Sequence, residues 1–173
     1  MSAASQVDDV AVVIPAWNEA DRIRQTVTAA AGLPGVGLVV VVDDGSRDGT
    51  GAAARRAGAV VLRHARNRGK AAAMQSGATA VGLFDQRERR ERPRHLLFLD
   101  ADLAESAAHA GPLTEPVLAG TADMTIAVFA ATVKLGGHGL VVGLSGAGIR
   151  RAVGWRPERA GWCSCCGLSL IHI

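Results

Sequence analysis

Four short apolar runs, each delivered into a turn or a polar cluster, constrain this chain more than any other feature. Residues 10–14, 38–42, 60–62 and 96–99 are continuous apolar segments short enough to be strands, the first two of them strands buried on both faces. Between them apolar residues recur at helical spacing: first Ala20, Ile23, Val27, Ala30 and Ala31, later Met74, Gly77, Ala78 and Val81. Pro15 is expected to end the first strand, and Pro34, Gly35 and Gly37 mark a turn. Asp48 stands where it can cap a helix over residues 50–57, which Gly58 closes. A helix over 113–118 and a strand over 124–128 continue the pattern. Strand and helix in alternation predict an α/β domain with a mostly parallel sheet flanked by helices.

Three of the runs end in polar clusters: Pro15-Ala16-Trp17-Asn18-Glu19, Asp43-Asp44-Gly45-Ser46 and Asp100-Ala101-Asp102. An open parallel sheet binds ligands beyond the carboxyl ends of its strands, so the three are expected to share one cleft. Asp100 and Asp102 flank one small residue, which lets a strand-end turn hold two hard oxygen donors near one Mg²⁺ or Mn²⁺. A solvated turn is the commoner role for such a pair. Asp44 and Glu19 can accept hydrogen bonds from a base or a ribose; a plain turn and a helix N-terminal carboxylate explain them as well. Trp17 offers a surface for a base, although a lone loop tryptophan more often packs. Arg66-Asn67-Arg68-Gly69-Lys70 opens a helix whose backbone N–H groups, with Lys70, suit a phosphate. It is not a Walker loop, because His64 and Ala71 stand where that pattern needs glycine and Ser or Thr.

Composition closes off several classes. A chain of 173 residues fits one compact domain. A net charge of +3, with no tyrosine and no aromatics interleaved among the basic residues, excludes a nucleic-acid surface. The charge run at 87–94 reads as a solvated helix end and loop. Residues 1–9 form a polar tail without the regions of a secretory signal, and Lys134, His138 and several glycines break the apolar stretch at 124–144. The expectation is a cytoplasmic protein. Cys163, Cys165 and Cys166, with His172, count to four metal donors at the wrong spacing for a zinc knuckle. Residues 161–173 instead read as a non-native or truncated tail. The first strand lacks a glycine-rich turn, which disfavours a nicotinamide-dependent Rossmann enzyme.

Taken in order, Val-Ile-Pro-Ala-Trp-Asn-Glu, Val-Asp-Asp-Gly-Ser-Arg-Asp-Gly-Thr, Asn-Arg-Gly-Lys and Leu-Asp-Ala-Asp-Leu resemble family 2 glycosyltransferases, in particular the branch of polyprenyl-phosphate sugar synthases. The similarity is strong over 10–103 and weaker to 159. It implies a GT-A (Rossmann-like) catalytic domain over 10–160, incomplete at its C-terminal side. It also implies transfer of a hexose, with inversion, from a UDP-, GDP- or dTDP-linked donor to a hydroxyl or a lipid phosphate such as a polyprenyl phosphate. A lipid acceptor would bring the protein to the inner face of a membrane. By the same resemblance Pro15, Trp17 and Glu19 line the nucleoside pocket, Val42 and Asp44 contact the base, and Lys70 lies near the base or phosphates. Asp100 and Ala101 border the donor, and Asp102, with Asp100, holds Mg²⁺ or Mn²⁺. Beyond Asp123 the only acidic residue is Glu158, so no catalytic base is assigned. A binding-only fragment that takes a nucleotide and transfers nothing is the alternative. Oligomeric state is not legible in the sequence.

Overall fold

The computed structural model describes residues 9–127 and 171–172. In chain order it runs β1 (Val10–Ala16), α1 (Ile23–Ala31), β2 (Val36–Asp43), α2 (Thr50–Arg56), β3 (Val60–Arg63), α3 (Lys70–Arg87) and β4 (His95–Phe98). A 3₁₀ helix (Ala104–Ala110), α4 (Gly111–Leu118) and a two-residue strand β5 (Ile171–His172) complete it. The sheet order is β3-β2-β1-β4-β5, parallel throughout except for β5, which lies antiparallel on β4. The chain winds outward from β1 through β2 to β3, then returns to place β4 on the other side of β1. The direction of winding therefore reverses between β1 and β4, and a crevice opens there at the carboxyl ends.

β1 and the second half of β2 are buried on both faces, which is why they read as unbroken apolar runs, whereas β3 at the sheet edge leaves Val60 and Leu62 exposed. Ala11, Val13, Val40, Val42 and Phe98 form one side of the core with Ala73 and Val81 of α3. Side chains alternate along a strand, so Val12, Ile14 and Val41 point the other way, and they are fully buried too. α1 and α2 pack against β2 and against each other. Gly77 marks the closest approach of α3 to the sheet: a Cβ there would stand 2.3 Å from Val13 Cγ1 and 3.2 Å from Val42 Cγ2.

The structure corrects three sequence expectations. Pro15 does not end β1, which continues to Ala16 with Pro15 beside Val42. The Val13 carbonyl accepts from Leu99 N–H on the β4 side, and the Ala16 carbonyl accepts from Asp44 N–H on the β2 side. By that alternation Pro15 faces β4, whose pairing has already ended at Phe98. Its missing N–H falls on an open flank and breaks no ladder bond. Asp48 lies just before the Gly49 cap position, and its Oδ1 accepts from Thr50 N–H at 2.9 Å. The strand expected at 124–128 is absent over 124–127, where Ile126 makes a single isolated bridge, and Val128 lies outside the described residues. The neighbour of β4 is Ile171–His172, inside the segment read from sequence as a tail.

The charge run at 87–94 is only partly solvated. Arg87, Arg89, Glu91 and Arg92 are exposed. Arg94, however, is buried and its guanidinium bonds Asp85 at 2.5 Å and Glu88 at 2.5 Å, while Arg90 reaches Asp9 at 2.7 Å. Asp85, which pairs with Arg94, and Asp9, which pairs with Arg90, lie outside the run, and buried charge persists only when so paired. Among the described residues no helix is long and apolar enough to cross a membrane. Lys134, His138, the three cysteines and Glu158 lie outside the described residues.

Candidate nucleotide-sugar site

The sequence around the first two strand ends folds into a bracket. The backbone of Asn18 turns left-handed at φ 55°, and Asn18 to Ala20 present three successive N–H groups to the loop after β2. Asn18 N–H donates to Ser46 Oγ at 3.0 Å, Glu19 N–H to Thr50 Oγ1 at 2.9 Å, and Ala20 N–H to Asp48 Oδ2 at 3.1 Å. In return Arg47 N–H donates to Asn18 Oδ1 at 2.9 Å. The Asn of the first motif and the Ser, Asp and Thr of the second therefore hold two loops together. Asp43 is equally structural: it accepts from Ser46 N–H at 2.9 Å and meets Arg63 at 3.5 Å, with 2% of its surface exposed. What the bracket fixes is the placement of Trp17, which is exposed, and of Glu19.

Asp44 works as a hub. Its Oδ1 accepts from His64 Nδ1 at 2.6 Å and from Arg68 N–H at 2.9 Å; its Oδ2 accepts from Gly69 N–H at 2.8 Å. His64 Nε2 in turn stands 3.0 Å from Ser76 Oγ on α3. Two of the backbone N–H groups expected to face a phosphate before α3 are thus occupied by a carboxylate of the chain itself. Burial raises the Asp44 pKa, but the hydrogen bonds from His64, Arg68 and Gly69 outweigh it, and the group ends below its usual 3.8. A depressed folded pKa means stability that is intact above the unfolded value and lost as pH falls through the folded one. Asp48 is lowered in the same sense, burial again being outweighed, here by hydrogen bonds led by that from Thr50. Wild-type melting temperature should therefore fall below about pH 4. In Asp44→Asn the fall should be shallower, as read by thermal melts at pH 5 and pH 3; parallel curves would remove Asp44 from the acid response.

The acidic turn after β4 is tied down from behind. Thr26 of α1, fully buried, donates Oγ1–H to the Ala101 carbonyl at 2.8 Å and accepts from Ala104 N–H at 2.8 Å. On the open side Lys70 Nζ bonds Asp100 Oδ1 across the cleft. Asp102 is half exposed, and Arg22 stands 3.9 Å away.

These elements enclose a cavity of about 250 Å³ at the point where the winding reverses. Pro15, Trp17, Glu19, Asp44, Lys70, Asp100, Ala101 and Asp102 all line it, joined by Ala16 and Ala73, which sequence reasoning did not single out. Val42 does not line it. Strand alternation turns that side chain beneath α3, where it is fully buried in the core. Thr26 and His64 were also missed. A threonine among Ile23, Val27 and Ala30 on a buried helix face was the one available signal for Thr26; His64 gave none. Among the described residues no group of three or more His, Cys, Asp or Glu side chains is arranged to hold a metal. Two carboxylates still suit Mg²⁺ or Mn²⁺ when phosphate oxygens and water complete the shell. Asp102, more exposed than Asp100 and with Arg22 at 3.9 Å, is the freer donor.

A parallel sheet of this order, with an acidic turn beside its switch point, is the architecture of GT-A-type transferases. Residues 11–138 match the family model Glycosyl transferase family 2, and the chain belongs to that family. It is 34% identical over 119 residues to an uncharacterized protein of Methanocaldococcus jannaschii, covering 69% of this chain and 46% of that protein. It is 39% identical over 95 residues to the succinoglycan biosynthesis protein ExoU of Rhizobium meliloti, covering 49% and 28%. The chain thus spans less than half the length of the curated relatives it matches. Among solved structures it is similar to glucosyl-3-phosphoglycerate synthase from Mycobacterium tuberculosis in complex with Mn²⁺, UDP-glucose and phosphoglyceric acid. That similarity has a TM-score of 0.52 and 26% identity, over 68% of this chain and 41% of that one. The same enzyme with Mg²⁺ and UDP gives a TM-score of 0.51 and 25% identity, over 66% and 40%.

Proposed function

We propose that this chain carries the donor site of an inverting hexosyltransferase that takes its sugar from a UDP-, GDP- or dTDP-linked donor. The observation that carries the reading is the gathering of Glu19, Asp44, Lys70, Asp100 and Asp102, from four separate motifs, around one cavity. The related synthase with UDP-glucose and Mn²⁺ bound supports the donor class and the ion.

In this reading Pro15 and Trp17 form the wall against which the base lies, and Asp44 and Glu19 accept hydrogen bonds from base and ribose. Lys70 meets the phosphates, and the small side chain of Ala101 lets the donor approach the turn. Asp102, with Asp100, would hold Mg²⁺ or Mn²⁺, which supplies Lewis-acid neutralisation of the charge gathering on the leaving diphosphate. The chain's own contribution is orientation, which removes much of the entropic barrier to attack at the anomeric carbon. The acceptor is a hydroxyl or a lipid phosphate, polyprenyl phosphates included, with peripheral attachment to a membrane in the lipid case. No general base is assigned.

Calorimetry with UDP, GDP and dTDP in the presence of Mn²⁺, beside a hydrolysis assay on the matching nucleotide sugar, tests the reading. One nucleotide should bind in a manganese-dependent way and its sugar should be released. Binding without release would mark a nucleotide-binding fragment, and binding of none of the three would remove the proposal.

A further inference from the structure

We infer that His64, which does not line the cavity, is the residue that positions Asp44 for the nucleoside half of the donor; the inference rests on the nucleotide-sugar reading above. A carboxylate offers about four acceptor sites. Asp44 gives three donors a place: His64 Nδ1–H, Arg68 N–H and Gly69 N–H. Arg68 N–H is shared between the two oxygens at 2.9 and 3.1 Å, so roughly one site remains toward the cavity, its direction set by the three donors. Of those three only His64 is a side chain.

His64 is itself held at its backbone N–H and at both ring nitrogens. Its backbone N–H donates to the Asp43 carbonyl at 2.9 Å, just past the end of β3. Nδ1–H donates to the Asp44 carboxylate, and Nε2 meets the hydroxyl of Ser76 at 3.0 Å. The imidazole therefore joins the end of β3, the second turn of α3 and the cavity wall through its two ring nitrogens. It is 8% exposed, so a nucleotide cannot touch it and it acts through Asp44 alone.

A carboxylate's free lone pair accepts from a base N–H or a ribose hydroxyl and repels phosphate. Moving Asp44 must therefore weaken nucleoside recognition and spare diphosphate recognition. That split distinguishes positioning from a general loss of structure.

The test compares His64→Asn, which keeps an amide donor near the Nδ1 position, with His64→Gln, which keeps bulk and sets its amide near the Nε2 position. Each is titrated with UDP and with inorganic pyrophosphate, both with Mn²⁺. The glutamine variant should lose about tenfold in UDP affinity, the scale of a hydrogen bond to a charged group, with pyrophosphate affinity within about twofold of wild type. The asparagine variant should bind UDP within about threefold of wild type. Equal UDP affinities for the two variants, or parallel losses for UDP and pyrophosphate, would overturn the inference while leaving the donor site standing. A wild-type chain that binds no nucleoside diphosphate (UDP, GDP or dTDP) would overturn the donor site, and this inference with it.

Discussion

Asp102→Ala is expected to lower donor turnover by about a hundredfold or more, the scale of losing one preorganised electrostatic contact to developing charge. The fold should be untouched. Asp102 is half exposed and its nearest charge, Arg22, is 3.9 Å away; a surface pair of that kind contributes little to stability. Turnover measured across a manganese titration, with a circular dichroism melt beside it, separates the two effects. Asp102→Asn should share the loss, since an amide is a poorer ligand for a hard cation. A rate equal to wild type at saturating Mn²⁺ would take Asp102 out of the metal role.

Gly45→Ala should be the most damaging single methyl in the site. Gly45 has φ 73°, and a Cβ there would lie 2.5 Å from the Arg66 carbonyl carbon, 2.6 Å from Asn67 N and 2.8 Å from Arg66 Cα. All three are backbone atoms, so no side chain can swing aside. Overpacking and the left-handed backbone together cost about 3 kcal/mol. The strain falls between Asp44 and the loop it holds, so nucleotide affinity should drop along with the urea midpoint. An unchanged midpoint would mean that residues 66–67 can retreat freely, which would contradict their close packing on Gly45.

The strands were legible because burial on both faces writes itself as uninterrupted Val, Ile and Leu, and β1, β2 and β4 announced themselves in that way. The convergence of the three polar clusters was legible too, because strand order in a parallel sheet constrains where strand ends meet. Roles that depend on a partner far along the chain were not. The run at 87–94 looked solvated because Asp85, the partner of Arg94, and Asp9, the partner of Arg90, lie outside it, and the packing of α3 over Val42 joins residues some thirty positions apart. His64 reads from sequence as one loop histidine among basic residues; only the approach of Asp44 and Ser76 gives it a task. The motif letters were informative about family membership, while several of them, Asn18, Ser46, Asp48 and Thr50, serve to join loops.

The two sets of amides nearest the cavity are already engaged. Those of Asn18, Glu19 and Ala20 are taken by Ser46, Thr50 and Asp48, and those of Arg68 and Gly69 by Asp44. Glycine-rich dinucleotide folds cradle pyrophosphate in a nest of main-chain amides. Here those five peptide groups are taken before any ligand arrives. In the proposed donor site side-chain charge then carries more of the anion recognition, and point substitution at Lys70 should retune the preference among phosphorylated ligands with the backbone left as it is.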